Sequence, residues 1–165
     1  MLAMLRNLSL LTLLLTLIGC GGWHLRGSQD DAINTDLSLN ISGGSPEMRA
    51  ALYRYANLND IETRESNADV HLTLHSDVYR RRIHSVGVNE QPTEFMLIYD
   101  VVVSGQSGNH RLFSQANMRR EDIFAYNSEN PLAGDNEAQI LIEEMRNDLA
   151  RQLILRAIRQ ANRQP

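Results

Sequence analysis

The chain has 165 residues, 42% of them apolar and 22% charged, with 16 Lys plus Arg against 20 Asp plus Glu and a formal net charge of -4. That length suits one domain with a modest core, and the acidic balance excludes bulk nucleic-acid binding as its purpose. A lone cysteine, Cys20, excludes an internal disulfide framework, so packing must hold the fold together.

The chain opens with one positive charge, Arg6, followed by the eleven-residue apolar run "LSLLTLLLTLI" over residues 8–18. A bilayer span needs roughly 20 such residues, so the run reads as the apolar region of a signal peptide. It ends in "LIGC" (residues 17–20), which resembles the lipobox of bacterial lipoproteins. The resemblance implies cleavage before Cys20 and acylation of its sulfur and new amino group, with an ordinary signal peptide and a coincidental thiol as the alternative. Residues 1–19 are then a removed signal peptide, residues 20–36 a lipidated anchor and polar tether, and residues 37–165 a single domain. Several acyl chains on one residue give stable anchoring, at about 0.8 kcal/mol per buried CH2. The residue after the cysteine is Gly21 and not aspartate, which in lipoproteins of this kind points to the outer membrane, on its periplasmic side. Without its signal the chain carries 15 Arg against 20 acidic residues, a net charge of about -5. All 16 basic residues are Arg; Arg grips phosphate with a bidentate fork that Lys lacks, although a codon bias gives the same pattern.

After the tether, "LSLNI" alternates and places Leu37, Leu39 and Ile41 on one face of a first strand. Ser45, Pro46 and Glu47 form a helix start of N-cap, first-turn proline and first-turn acid. The helix runs to about Leu58 with Met48, Ala51, Leu52 and Tyr55 on one stripe. "ADVHLTLHSDVYRRRIHSV" alternates Val70, Leu72 and Leu74 against His71, Thr73 and His75, with a change of phase expected near Val78 to Ile83. Beyond a turn at residues 87–92, "TEFMLIYDVVV" is apolar on both faces, Phe95, Leu97, Tyr99, Val101 and Val103 against Met96, Ile98 and Val102. It should be an interior strand covered on both sides. "SGQSGN" then makes a hairpin turn into a longer, more polar strand. The last element is a helix capped at Asp135 or Asn136, with Ala138, Leu141, Ile142, Met145, Leu149, Leu153 and Ala157 at helical spacing.

The order β-α-β-β-β-α predicts an α+β fold, a two-layer α/β sandwich with two helices on one face of a four-stranded mixed sheet. The other sheet face should be polar, carrying His71, Thr73, His75, Asp77, Arg111, Gln115, Asn117 and Arg119. It is either wet or docked on something polar.

Catalytic chemistry is sparse. His71 and His75 stand about 13 Å apart on a strand, too far for one metal ion. Ser107 in "GQSGN" lies between two strands, where a nucleophile elbow needs a strand and a helix. There is no phosphate loop or dinucleotide fingerprint, so neither an enzyme nor any cofactor beyond acyl chains on Cys20 is expected. Two basic clusters remain, Arg80, Arg81 and Arg82 on the second strand and Arg119 and Arg120 on the fourth. They read either as solvated guards of strand edges or, if the two strands lie close, as forks converging on an anion.

The segment from Cys20 to Gly27 ("CGGWHLRG"), the strand "PTEFMLIYDV" and the run "NPLAGDNEAQILIEEMRNDLARQLI" together resemble the LptE family of lipopolysaccharide-assembly lipoproteins, over essentially the whole chain. The resemblance implies helices on a four-stranded sheet and a function without catalysis. Such a lipoprotein plugs the large outer-membrane β-barrel LptD, helps it fold and assists delivery of lipopolysaccharide to the outer leaflet. Members can carry basic residues in the turn before the third strand and just before the "DNE" helix start; Val88 and Gly134 occupy those places here. Arg80, Arg81, Arg82, Arg119 and Arg120 are therefore the candidate lipopolysaccharide or anion contacts. Trp23, His24, Leu25 and Arg26 either pack against the sheet or headgroup layer or touch a partner. A free-standing ligand-binding lipoprotein, an accessory subunit of another envelope machine and an acid-base hydrolase are the other function classes weighed.

Overall fold

The structure, a computed structural model, describes residues 36–163. Cys20, the segment Trp23, His24, Leu25 and Arg26, and the expected signal boundary lie outside the described residues.

Strand β1 (Leu39–Gly43) is short, and its end dictates the start of the first helix. Gly43 has φ +73°, and a Cβ there would lie 2.1 Å from the Leu74 carbonyl oxygen, so only glycine lets β1 turn away beside β2. Helix α1 (Pro46–Leu58) follows with Ser45 as its N-cap and Pro46 in its first turn, as the sequence predicts. It buries Met48, Ala51, Leu52 and Ala56. Each such side chain withdrawn from water contributes about 1.5–3 kcal/mol when large.

Strands β2 (Val70–Val86), β3 (Pro92–Ser107) and β4 (His110–Ala125) form an antiparallel meander. β1 pairs parallel to β2 in the sheet order β1-β2-β3-β4. Helix α2 (Pro131–Ala161) packs on the same face as α1 and crosses β4, β3 and β2. The architecture is the predicted one. Toward the helices β3 buries Leu97, Tyr99, Val101 and Val103, which join Leu149, Leu153 and Ile154 of α2 in the core.

Three details depart from the sequence reading. Helix α2 begins at Pro131 with Asn130 as N-cap, whose side chain accepts from the Ala133 N–H at 3.4 Å. An Asn-Pro start thus precedes Asp135, which forms an ion pair with Arg81 instead. The phase of β2 changes first between Leu74 and Ser76, where His75 is an extra residue against β3, ahead of a further register shift between Ile83 and Ser85 at the end of the expected range. Asp77 consequently faces α1 and not the open face. Finally, among the described residues no second layer covers the far side of β3; Ile98, paired between Arg80 of β2 and Glu121 of β4, is only 5% exposed there, while Met96 and Val102 stay half-buried.

β1 pairs with β2 over residues 70–74 alone, so among the described residues the remainder of β2 has no strand partner on that side. The three long strands run on past β1 as a ribbon flanked by charged side chains, the usual protection for such an edge.

Candidate functional site

The five arginines singled out from sequence do not form one cluster, because neighbours on a strand point to opposite faces. Arg80 on β2 and Arg119 on β4 flank β3 on the open face and meet at its Asp100. Arg119 donates through Nε to Oδ1 at 2.6 Å and through Nη2 to Oδ2 at 3.3 Å, and Arg80 donates through Nη2 to Oδ2. The hydrogen bond from Arg119, then the charges of Arg119, Arg80 and Arg82, hold the Asp100 carboxyl below its usual range despite partial burial. The same carboxylate raises the pKa of Arg119. Arg119 also lies 3.6 Å from Glu121. The three guanidinium groups of Arg80, Arg82 and Arg119 thus surround two carboxylates, a weakly positive patch beside the exposed Val78 and Ile123.

Arg81 and Arg120 face the helices. Arg120 lies 3.5 Å from Asp148 of α2. Arg81 pairs with Asp135 at 2.8 Å, and its guanidinium carbon sits 3.8 Å from the Phe95 ring centroid, with Phe124 and Tyr126 beyond. Its Nε is buried without a hydrogen-bond partner among the described residues, which suits a cation held chiefly by aromatic faces.

Nearer β1, the open face is concave and polar. His71, Thr73, His75, Ser104, Arg111 and Gln115 line a hollow of about 340 Å³. His75 Nε2 lies 2.7 Å from Ser104 Oγ, and that hydroxyl also accepts from the Gln115 N–H at 3.1 Å. Asp77 is absent from this group, for the reason given above. Among the described residues no group of three or more His, Cys, Asp or Glu could hold a metal ion, and no helix is long and apolar enough to cross a membrane. Sequence reasoning missed Asp100, although one acid in the middle of "FMLIYDVVV" is the signal that a charged partner must sit on each side.

The family profile described as LptE, lipopolysaccharide-assembly, matches residues 34–157, well over half of the chain. The chain belongs to the LptE family. No curated protein matches it by sequence. Three solved structures share its fold: rare lipoprotein B from Shewanella oneidensis (TM-score 0.62, 21% identity, 72% of this chain and 91% of that one), an uncharacterized lipoprotein B from Nitrosomonas europaea (0.60, 18%, 71% and 79%), and a minor lipoprotein from Acinetobacter baumannii (0.61, 16%, 79% and 98%).

The two places where LptE relatives can be basic now have a physical description. Val88 is fully exposed at the tip of the β2–β3 hairpin. Gly134 is buried in the first turns of α2, and a Cβ there would stand 2.7 Å from the Tyr126 ring. In this member of the family an aromatic ring fills the space that a long side chain at residue 134 would need.

Proposed function

We propose that this LptE-family protein is an outer-membrane lipoprotein, anchored through acyl chains on Cys20 at the periplasmic side, that plugs and helps assemble the LptD β-barrel and assists lipopolysaccharide delivery to the outer leaflet. The observation that carries the reading is the open sheet face. Among the described residues it has no second layer, it is polar over most of its length, and its charges are matched among themselves at Asp100. The lumen of a large outer-membrane barrel is polar, so this face loses little by leaving bulk water for such a surface. The function requires no catalysis, only a surface and an anchor. Direct contact with lipopolysaccharide phosphates belongs to the same reading, through Arg80, Arg82 and Arg119 on the open face and through Arg81 and Arg120 where the helix face is exposed.

The test is a mild-detergent pull-down of tagged protein from outer membranes, with and without Cys20→Ala, identifying companions by mass. A near-stoichiometric barrel several times larger than this chain is the expected result, reduced by Cys20→Ala. Recovery of the lipidated protein without any barrel would replace this reading with a free-standing ligand-binding lipoprotein.

A further inference from the structure

On the helix side, away from the open face, β4 and the C-terminal half of α2 enclose a second hollow of about 550 Å³. Arg151, Arg156, Arg159 and Arg163 line it, over a floor that includes Met118 and Leu155. Among the described residues that line it none is acidic. The nearest carboxylate on α2, Asp148, is already engaged by Arg151 at 3.0 Å, by the Gln152 amide at 2.9 Å and by Arg120 at 3.5 Å. A chain with four more acids than bases therefore gathers a quarter of its arginines into one concavity.

The ordinary reason for arginine at the end of a helix is the macrodipole, whose influence is confined to the last turn. Arg159 satisfies that account. Arg151 and Arg156 do not, because they lie more than one turn before the helix ends at Ala161. Arg156 is also held in place, its guanidinium carbon 5.0 Å from the Phe113 ring centroid, which leaves its fork oriented before any ligand arrives. From Arg156 to its end at Ala161 the helix rises about 7.5 Å, with Arg163 in the turn beyond it, room for two phosphate groups side by side. Guanidinium forks bind phosphate through paired, charge-assisted hydrogen bonds, and the volume falls within the range of about 300–1,000 Å³ for compact ligands. A concave site favours such a ligand over the flat acidic surface of a protein.

We propose that this groove binds a ligand carrying two or more phosphate groups, the apolar floor accepting the non-polar part attached to them. The site stands on the groove itself and is independent of the barrel partnership. A phosphorylated saccharide of lipopolysaccharide and the two-phosphate headgroup of cardiolipin share this chemistry.

The experiment uses the full-length lipoprotein in nonionic detergent, titrated calorimetrically with inorganic pyrophosphate. Saturable binding that weakens with added salt is expected, and Arg159→Gln with Arg163→Gln should weaken it more than about tenfold. Both side chains are exposed, so the fold should persist; Arg156→Lys, which keeps the charge and loses the fork, is the second variant and should also weaken binding. Arg64→Gln, outside the groove, should leave it unchanged. Absence of saturable binding, or an equal loss in Arg64→Gln, overturns the proposal. Displacement of pyrophosphate by purified lipopolysaccharide supports it and assigns the first source, and displacement by cardiolipin vesicles, but not by phosphatidylcholine vesicles, assigns the second. Tighter binding of polyglutamate than of pyrophosphate overturns it in favour of an acidic protein partner.

Discussion

Asp77 holds Ser45 twice: the Ser45 N–H donates to Oδ1 at 2.7 Å and the Ser45 hydroxyl to Oδ2 at 2.5 Å. Ser45 in turn accepts from the Met48 N–H at 3.2 Å, and the Tyr99 phenol donates to the same carboxylate at 3.1 Å. The cap of α1 is thereby anchored in the sheet, and burial raises the pKa of the Tyr99 hydroxyl that completes the group. Strand β2, strand β3 and helix α1 are joined at one carboxylate.

Removing that carboxylate should be costly. Asp77→Ala leaves the Ser45 and Tyr99 donors without their acceptor and should destabilise the protein by about 2–3 kcal/mol, against about 1 kcal/mol for Ser45→Ala. Urea unfolding of both single variants and the double should show a coupling of at least about 0.5 kcal/mol. Strict additivity would mean that the cap acts without the strand.

Acid should weaken the fold through identifiable groups. Asp100 is held low by Arg119 and its neighbours, and Asp69 by hydrogen bonds from the Ser38 hydroxyl and N–H. Both carboxyl pKa values are depressed on folding, so their contribution is fully present well above the unfolded value of about 3.9 and is lost as pH falls through the folded values. Asp100→Asn should lower stability near pH 7 and also shrink the drop in urea midpoint between neutral and acid pH. An unchanged pH dependence would remove Asp100 as a contributor.

Restoring a basic residue at residue 134 should fail in this chain. Gly134→Lys drives a side chain into the Tyr126 ring, costing about 1–3 kcal/mol, part of it offset by the better helix propensity of Lys, up to about 1 kcal/mol. A lower melting temperature for Gly134→Lys, recovered when Tyr126→Ala is added, is the expected pattern. A melting temperature at or above that of the parent chain contradicts it.

Arg81 should tolerate Lys poorly. A planar guanidinium fits against Phe95 and reaches Asp135 at the same time, whereas an ammonium group cannot stack in that way. Arg81→Ala should cost about 1–2 kcal/mol, and Arg81→Lys should recover less than half of it. Full recovery by Lys in urea unfolding would show that charge alone matters there.

Much of this architecture was legible in the sequence because its signals are local. The Ser45-Pro46-Glu47 start, the alternation of Val70, Leu72 and Leu74, and the two apolar faces of β3 each follow from a few adjacent residues. What could not be read depends on register between distant strands. The bulge at His75 decides which arginine faces which way, and nothing in "LHSD" announces it. Asp135 reads as a cap from its neighbours, but Asn130 and Pro131 start the helix five residues earlier, and Asp135 pairs instead with Arg81 of a distant strand. The α2 arginines carry no local signal of a site, because β4, which turns their side of the helix into a hollow, approaches from far along the chain.

Both strands flanking β3 carry one extra residue at the same level, His75 on β2 and one of Ser114 and Gln115 on β4, on either side of Ser104. Below that level the even-numbered residues of β2 face the helices; from Asp77 to Ile83 the odd-numbered ones do. The ribbon beyond the bulges is therefore written in a shifted reading frame. Deleting His75 would only remove the bulge, whereas deleting Val78 from the regularly paired stretch after it would exchange the faces of the residues that follow, presenting Arg81 to the open side and pushing Arg80 toward the core. A one-residue deletion, which changes no charge in the patch, would do more to this surface than any single substitution within it.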